Sequence, residues 1–504
     1  MSTPSVPEIP PSEALKAKHP RGLYTLFFTE MWERLSYYGM RGILVLAMVD
    51  AIANDGLGLD DQNATAIYGL YTAGVYLLAL AGGWIADHLM GARRTVWWGG
   101  CIIALGHFTM AIPGSIFTFY LGMLFIVLGT GLLKPNISSM VGELYPEGGA
   151  RRDAGFSIYY MGINLGAFIA PFICGTLGEK VGWHWGFGAA GVGMVIGLIQ
   201  YRITQHHLGD IGLMKPASQR SQKQAARIRV NWSILTVALV VLALAVAGIA
   251  MGLIPFNPVL VAKASSAIII GLAVLFFASV YAFGKLDKQE KLHVGGIIMF
   301  FLAAAIFWAG FEQAGSTFNL FADRYTDRTF FGWEMPASWF QSVNSIFIIL
   351  LAPALGAMWV RLAAKNLNPS LPMKMALGLI QLGLGFLVMY FAAKLVLAGN
   401  QVLPTWLVLT YLLHTTGELC LSPIGMSAVT KLSPKRFSGQ MMGTWFMGAA
   451  LGNLIAGLVA GEFTGQNVAE MPQHFMTAVI LAVGAGVLMI IFLKPLKKLM
   501  GKVE

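Results

Sequence analysis

The chain has 504 residues, of which 56% are hydrophobic and only 12% are charged. This composition excludes an ordinary soluble domain and is typical of a polytopic helical membrane protein. A membrane barrel is excluded as well, because its strands would be visible as short segments of alternating polarity. The three cysteines lie in apolar stretches, so no disulfide framework is expected.

Fourteen apolar stretches are long enough to cross a membrane as helices. They cover approximately residues 23–50, 64–88, 95–112, 116–142, 154–178, 184–203, 231–252, 265–284, 293–321, 337–360, 371–397, 402–430, 437–461 and 473–494. Residues 1–22 are polar and proline-rich and lack the short apolar core of a signal peptide, so we expect the first stretch to stay in the protein.

The stretches follow a six, two, six arrangement along the chain, with a basic segment after the first six. Two six-helix bundles around a central cavity are a common plan of secondary transporters. We therefore expect a cytoplasmic tail at 1–22, an N-terminal bundle at 23–203, a basic linker with two extra transmembrane helices at 204–292, a C-terminal bundle at 293–494 and a cytoplasmic tail at 495–504.

The distribution of Lys and Arg orients the chain. With the N-terminus inside, 26 of the 34 basic residues fall in cytoplasmic segments and five in outer segments. This positive-inside bias predicts a multi-pass protein of the cytoplasmic (inner) membrane with both termini in the cytoplasm. The net charge of +10 then reflects topology, and no nucleic-acid partner is expected.

The first span carries a stripe of polar side chains that a membrane anchor does not need. At 3.6 residues per turn its members share one helix face. They are Glu30, Glu33, Arg34, Tyr37, Tyr38 and Arg41. An ionisable side chain at mid-membrane costs about 2.5–3.5 kcal/mol, so such groups usually line a polar cavity. A helix-internal ion pair between Glu30 and Arg34 is the alternative, but it leaves the rest of the stripe unexplained.

Several segments resemble a known family. Residues 30–41 are similar to the ExxER motif and following YYGxR of the proton-coupled oligopeptide transporter (POT/PTR) family, and residues 83–94 resemble the loop signature of the major facilitator superfamily. Further similar segments are 134–136, 156–168, 307–308, 313–316 and 418–423. The resemblance covers residues 23–494 and favours the prokaryotic branch, with a departure at Leu35, where Phe is usual. It implies the major facilitator fold.

The sequence places six ionisable side chains other than histidine deep in the spans, and their charges sum to zero. They are Glu30, Glu33 and Glu418 against Arg34, Arg41 and Lys134. Balance lets these charges coexist at low dielectric. Glu418 is expected to be the only acid deep in the second bundle, so one wall of a central cavity would be positive and the other negative. A zwitterionic peptide fits this field, with its carboxylate towards Arg41 and Lys134 and its ammonium towards Glu418.

The family resemblance implies the same assignment and adds further residues. Asn164 and Asn344 would make polar contacts near the amino end of the peptide. The remaining candidate substrate-binding residues are Tyr37, Tyr38, Tyr76, Tyr160, Trp308, Ser422 and Trp445. The candidate proton-coupling residues are Glu30, Glu33, Arg34 and Glu418. A movement that makes or breaks one of their ion pairs can capture or release a proton.

The predicted function is proton-coupled import of dipeptides and tripeptides by alternating access. We expect no cofactor beyond the coupling proton, no metal or sodium site, and a monomer whose partners are peptide, protons and the bilayer. The alternative is a proton-coupled carrier of another small zwitterion or anion, such as an amino acid, nitrate or a peptide-like drug.

No enzyme activity is expected. A membrane protease using Ser422 and His414 is excluded because eight residues on one helix separate the two by about 12 Å. His414 could instead be a proton partner of Glu418, four residues further on, but a structural histidine is the favoured interpretation.

Overall fold

The computed structural model describes residues 18–146, 149–214, 218, 221–462 and 468–501. The predicted tails at 1–22 and 495–504 therefore lie partly outside the described residues, as does part of the basic linker.

Long helices make up nearly all of the described chain. The first part contains α1 (Arg21–Val49), α2 (Asp61–Ile85), α3 (Ala92–Met110), α4 (Ile116–Glu143), α5 (Gly149–Ala170), α6 (Thr176–Lys180) and α7 (Trp183–Thr204). Next come α8 (Gln222–Ala250) and α9 (Pro258–Phe283). The last part contains α10 (Lys288–Phe311), α11 (Thr317–Tyr325), α12 (Gln341–Ala364), α13 (Leu371–Leu397), α14 (Thr405–Leu432), α15 (Ser438–Glu462), α16 (Met471–Ile491) and α17 (Leu493–Met500). Between α11 and α12, strands β1 (Thr329–Phe330) and β2 (Trp333–Glu334) form a short antiparallel hairpin.

Every predicted span overlaps a long helix, and the span 293–321 continues from α10 through the 3₁₀ turn Glu312–Gly315 into α11, so the predicted all-α polytopic fold class is confirmed. Helices α5 and α6 form one span through a π-helical turn at Pro171–Gly175. Among the described residues, eleven helical segments are apolar enough to cross a membrane by composition alone, and α1, α3 and α14 are not among them. Because α1 and α14 contain the predicted buried charges, the residues that mark these two helices as functional also lower their hydropathy.

Helices α3 and α4 pack as a hairpin whose backbones approach closely. Two pairs of glycines face each other across it, Gly99 with Gly129 and Gly106 with Gly122. A methyl group on Gly99 would lie 2.8 Å from the carbonyl oxygen of Gly129, and one on Gly106 would lie 2.7 Å from that of Gly122. Larger side chains would push the helices apart, and small residues are what membrane helices use for such contacts.

The described chain packs into two compact units. The first contains the described residues of Met1–Met40, Leu78–Leu177 and His184–Phe256, and the second contains those of Arg41–Leu77, Gly178–Trp183 and Asn257–Glu504. These boundaries follow packing rather than chain order, because the end of α1 and most of α2 pack with the later helices. The division into bundles at 203 and 293 concerns the order of spans in the sequence and stays a prediction.

Candidate functional site

The first unit holds a buried triad of charges on α1. The Nε of Arg34 lies 3.1 Å from Oε1 of Glu30 and 2.5 Å from Oε2 of Glu33. None of the three side chains is more than 3% exposed. The helical spacing puts Glu30 one turn before Arg34. At this degree of burial, removing Arg34 would leave two carboxylates without this counter-charge, so the triad depends on its arginine and acts as a unit.

Two tyrosines and a lysine surround this triad. The guanidinium of Arg34 lies 5.1 Å from the centre of the Tyr37 ring, which packs edge-on against Tyr38. Lys134, in the middle of α4, interacts electrostatically with Glu33. The structure therefore brings three predicted proton-coupling residues together with one predicted carboxylate-binding residue. A change in the charge of Glu33 would alter its pairing with both cations.

We expect Arg34→Lys to destabilise the protein. Both contacts are made by the Nε of Arg34, and lysine has a methylene carbon at that position, so it keeps the positive charge but not this geometry. An unsatisfied buried polar group costs about 1–3 kcal/mol, which should lower the melting temperature of the purified protein in detergent.

The matched control for Arg34→Lys is Arg436→Lys. Arg436 pairs with Glu290, and the two side chains are 44% and 28% exposed. Exposed pairs contribute little to stability, so the control should melt close to the unmodified protein. Equal melting temperatures for the two variants would contradict a buried triad that acts as a unit.

The second unit holds another buried charge cluster, centred on Arg41. Its Nη2 lies 2.7 Å from Oε2 of Glu312, and its Nε donates a 2.7 Å hydrogen bond to the hydroxyl of Tyr68. That hydroxyl donates in turn to the backbone carbonyl of Glu312 at 3.3 Å. Tyr68 is fully buried, and the side chains of Arg41 and Glu312 are 8% and 6% exposed. The closed ring of contacts links α1, α2 and the 3₁₀ turn Glu312–Gly315 that follows α10.

Glu418, on α14, lies beside this ring. Asn344 of α12 donates hydrogen bonds to Oε2 of Glu418 at 3.3 Å and to the hydroxyl of Thr415 at 2.9 Å. Glu418 also interacts electrostatically with Glu312 and Arg41. Two carboxylates thus lie near one arginine, and a proton on either of them relieves the repulsion between them.

Glu312 is a functional candidate that the sequence analysis did not identify. The expectation that Glu418 is the only acid deep in the second bundle is wrong, because Glu312 is 5% exposed and paired with Arg41. With Glu312 included, the predicted set has four carboxylates and three cations, so its charges do not balance. The position of Glu312 inside the predicted span 293–321 is the signal that identifies it, by the criterion that selected Glu30 and Glu33.

The structure also locates the other predicted substrate-binding residues. In the first unit, Asn164 is buried and donates to the backbone carbonyl of Tyr160 at 2.9 Å, and Tyr160 is 41% exposed. In the second unit, Trp308 packs edge-on against Phe311, with 5.3 Å between ring centres. Three further candidates in this unit are partly or fully buried: Tyr76, Ser422 and Trp445. Their role in binding stays a prediction.

The groups that contact His414 favour the structural role predicted for this histidine. The Nε2 of His414 lies 3.1 Å from the carbonyl oxygen of Leu382, and its ring packs against Phe318 and Phe386. The side chain is buried, and these contacts account for its position without a proton partner. In the parts of the chain that the structure describes, no group of three or more His, Cys, Asp or Glu side chains is arranged to hold a metal ion.

Sequence comparison finds the same family along most of the chain. The sequence profile of the POT family (PTR2) matches residues 93–475. The peptide transporter YePEPT of Yersinia enterocolitica is 42% identical over 495 residues, with 96% of each chain covered. A di-/tripeptide transporter of Lactococcus lactis subsp. cremoris is 37% identical, with 96% of this chain and 97% of the relative covered.

Structural comparison agrees with the sequence. The crystal structure of peptide transporter POT in complex with sulfate is 41% identical and has a TM-score of 0.86, with 96% of each chain covered. This similarity confirms the predicted major facilitator fold. It extends over nearly the whole chain, well beyond the motifs in α1, α5 and α14. The protein is therefore a multi-pass membrane protein that belongs to the POT family.

Proposed function

We propose that this protein imports dipeptides and tripeptides together with protons, by alternating access across the cytoplasmic (inner) membrane, with both termini in the cytoplasm. The observation that carries the proposal is the pairing of buried carboxylates with arginines on spanning helices, Arg34 with Glu33 and Arg41 with Glu312. Such charges are costly in a membrane and usually mark substrate or proton paths. The names of the Yersinia and Lactococcus relatives, which describe peptide and di-/tripeptide transport, support the substrate class.

Arg41 and Glu312 provide the coupling between proton and peptide in this proposal. The guanidinium of Arg41 is paired with Glu312 at 2.7 Å. A proton on Glu312 removes the negative charge that holds the pair, and Arg41 becomes available to the carboxylate of a peptide. Loss of the proton re-forms the pair and displaces the peptide carboxylate. Peptide and proton therefore bind together and leave together, which is symport.

Glu418 receives the ammonium of the peptide. Its carboxylate accepts one hydrogen bond from Asn344, and an ionised carboxylate has room for several donors. An amine bound there pairs with the ionised carboxylate of Glu418, while the proton stays on Glu312.

The charge cluster of the first unit is a second place where proton binding can change ion pairing. A proton on Glu33 loosens its contact with Arg34 and weakens its attraction for Lys134. Lys134 is then available to another anionic group. Glu30 remains 3.1 Å from Arg34, so the arginine keeps a counter-charge throughout.

Uptake of a labelled dipeptide into proteoliposomes tests the proposal. With an inward proton gradient, labelled dialanine should accumulate intact above its external concentration, and a protonophore should abolish the accumulation. If the internal dipeptide concentration only reaches the external one, with or without the gradient, transport is not coupled to protons. Appearance of free alanine without intact dipeptide would indicate hydrolysis instead of transport.

Substrate length should determine selectivity more than sequence does. An extended chain advances about 3.3–3.6 Å per residue, so the end charges of a dipeptide or tripeptide are about 7–11 Å apart. A single amino acid is too short to engage both ends of such a site, and a tetrapeptide must bulge or leave one end unpaired.

The measurement for this prediction is competition against labelled dialanine. Dipeptides and tripeptides of varied composition should inhibit its uptake, and amino acids and tetrapeptides should inhibit it far less. Strong inhibition by single amino acids or nitrate, with indifference to unlabelled dipeptides, would favour a carrier of another small zwitterion or anion.

A further inference from the structure

Glu179, at the end of α6, lies outside both charge clusters and caps another helix. Its Oε2 accepts a hydrogen bond from the backbone N–H of Ala337 at 2.7 Å. Its Oε1 accepts one from the backbone N–H of Ser338 at 2.9 Å and one from the Ser338 hydroxyl at 2.5 Å. The side chain of Glu179 is 9% exposed, and both partner residues are fully buried. Both carboxylate oxygens are therefore bonded to the first residues of the 3₁₀ helix Ala337–Phe340.

This 3₁₀ helix does not cap itself. Its N-cap residue is Pro336, which makes no side-chain cap hydrogen bond. The first N–H groups of a helix need acceptors, and a carboxylate suits them because the helix N-terminus favours negative charge. Glu179 supplies that carboxylate from 158 residues earlier in the chain. Arg328, 3.9 Å from Oε2 of Glu179, provides a counter-charge.

The bonds of Glu179 connect two helices that carry proposed substrate-binding residues. The 3₁₀ helix leads directly into α12, on which Asn344 is bonded to Glu418. On the other side, α6 continues α5, which carries Tyr160 and Asn164. The two helices come from different halves of the six, two, six arrangement, and Glu179 joins the ends that the charge distribution places outside the membrane.

We infer that Glu179 is a positioning residue that fixes the start of α12 in one state of the transport cycle, the closed state, in which its three hydrogen bonds are made, and releases it in an open state. The inference rests on the proposed alternating-access function. While the three hydrogen bonds are made, the start of α12 is fixed, and with it the position of Asn344 beside Glu418. When they break, water can take over both the carboxylate and the N–H groups, so the same contact can form and open repeatedly.

Glu179→Gln tests the inference through the accessibility of a reporter cysteine. Glutamine has only one acceptor oxygen. Its NH2 group is a hydrogen-bond donor and cannot accept from the N–H groups of the helix. The reporter is Ser342→Cys, one turn after Ser338 and 1% exposed, in a background without Cys101, Cys174 and Cys420. A membrane-impermeant thiol reagent is added outside intact cells. We expect labelling about tenfold faster in Glu179→Gln than with Glu179 intact, because hydrogen bonds to a charged group are lost from the closed state only.

Glu334→Gln is the matched control. Glu334 pairs with Arg328 at 2.9 Å and with Lys180 at 3.6 Å, but its side chain is 56% exposed. It should label at the rate of the unmodified reporter protein. Equal labelling rates for Glu179→Gln and Glu334→Gln, with unchanged melting temperatures, would overturn the inference.

A second variant covers the case in which Glu179→Gln does not reach the membrane. Ser338→Ala removes only the hydroxyl bond to Glu179, and about threefold faster labelling is expected from it. No acceleration in that variant would equally overturn the inference. Because labelling requires neither peptide nor a proton gradient, its outcome is separate from that of the uptake experiment on which the proposed function depends.

Discussion

Glu312→Gln is expected to abolish proton-driven accumulation of dipeptide while leaving exchange of peptide across the membrane intact. Glutamine keeps the shape of the side chain but cannot carry the charge that pairs with Arg41 at 2.7 Å. The variant therefore resembles a permanently protonated Glu312, in which Arg41 stays available to the peptide carboxylate. Peptide should still bind, but its release would no longer be tied to loss of a proton.

Two transport modes separate these effects. Gradient-driven uptake into proteoliposomes should fall by about tenfold or more, the factor expected from losing an interaction with a buried charged group. Counterflow, in which labelled peptide enters in exchange for unlabelled peptide, involves no net proton movement and should persist. The control is Glu290→Gln, which alters an exposed pair with Arg436 at the start of α10. Normal gradient-driven accumulation by Glu312→Gln would show that Arg41 and Glu312 do not couple the two fluxes.

Glu418→Ala should abolish transport in both modes, which distinguishes it from Glu312→Gln. Removal of this carboxylate leaves the peptide ammonium without a counter-charge and Asn344 without one of its two acceptors. Breaking a buried charge interaction by removing one partner typically costs about 3–5 kcal/mol. Counterflow should therefore be lost together with gradient-driven uptake.

Chemical modification of the peptide provides an independent test of Glu418. An N-acetylated dipeptide lacks the ammonium, so it should compete poorly with labelled dialanine even in the unmodified protein. The control variant Glu470→Ala removes an acid whose side chain is 62% exposed, and transport should continue. Equal competition by free and acetylated dipeptides would show that the amino end of the peptide is not recognised at Glu418.

The features that the sequence predicts well are those with a strong local signal. The stripe on α1 is visible because ionisable side chains are costly in a membrane and because their spacing follows the helical repeat. Hydropathy alone identifies eleven helical segments as spans, and α1, α3 and α14 complete the six, two, six arrangement by their length and position. For the same reason, Glu312 could have been identified without a structure, since it lies inside an apolar span next to the recognised segment 313–316.

The partners of these residues could not be predicted in the same way. Arg41 is only seven residues from Arg34, yet it pairs with Glu312, which is 271 residues away along the chain. Tyr68, which closes the ring around Arg41, resembles many other tyrosines in membrane helices. The role of Glu179 could not be predicted from the sequence, because it depends on backbone N–H groups of a distant helix. Every residue except proline has such a group, so the residue pattern does not identify the partner. Side-chain chemistry is therefore readable from the sequence, whereas the pairing depends on tertiary packing.

The glycine pairs between α3 and α4 have a consequence for the movement of Lys134. Because the two backbones are in direct contact at both glycine pairs, we expect the two helices to move together as one rod. Lys134 lies 18 residues beyond Ile116 on α4, or about 27 Å along the rod at 1.5 Å per residue. A tilt of about 10° around that end would move Lys134 by about 5 Å, farther than the reach of an ion pair. We therefore expect a small rotation of the hairpin at one end to be enough to make or break the interaction of Lys134 with Glu33.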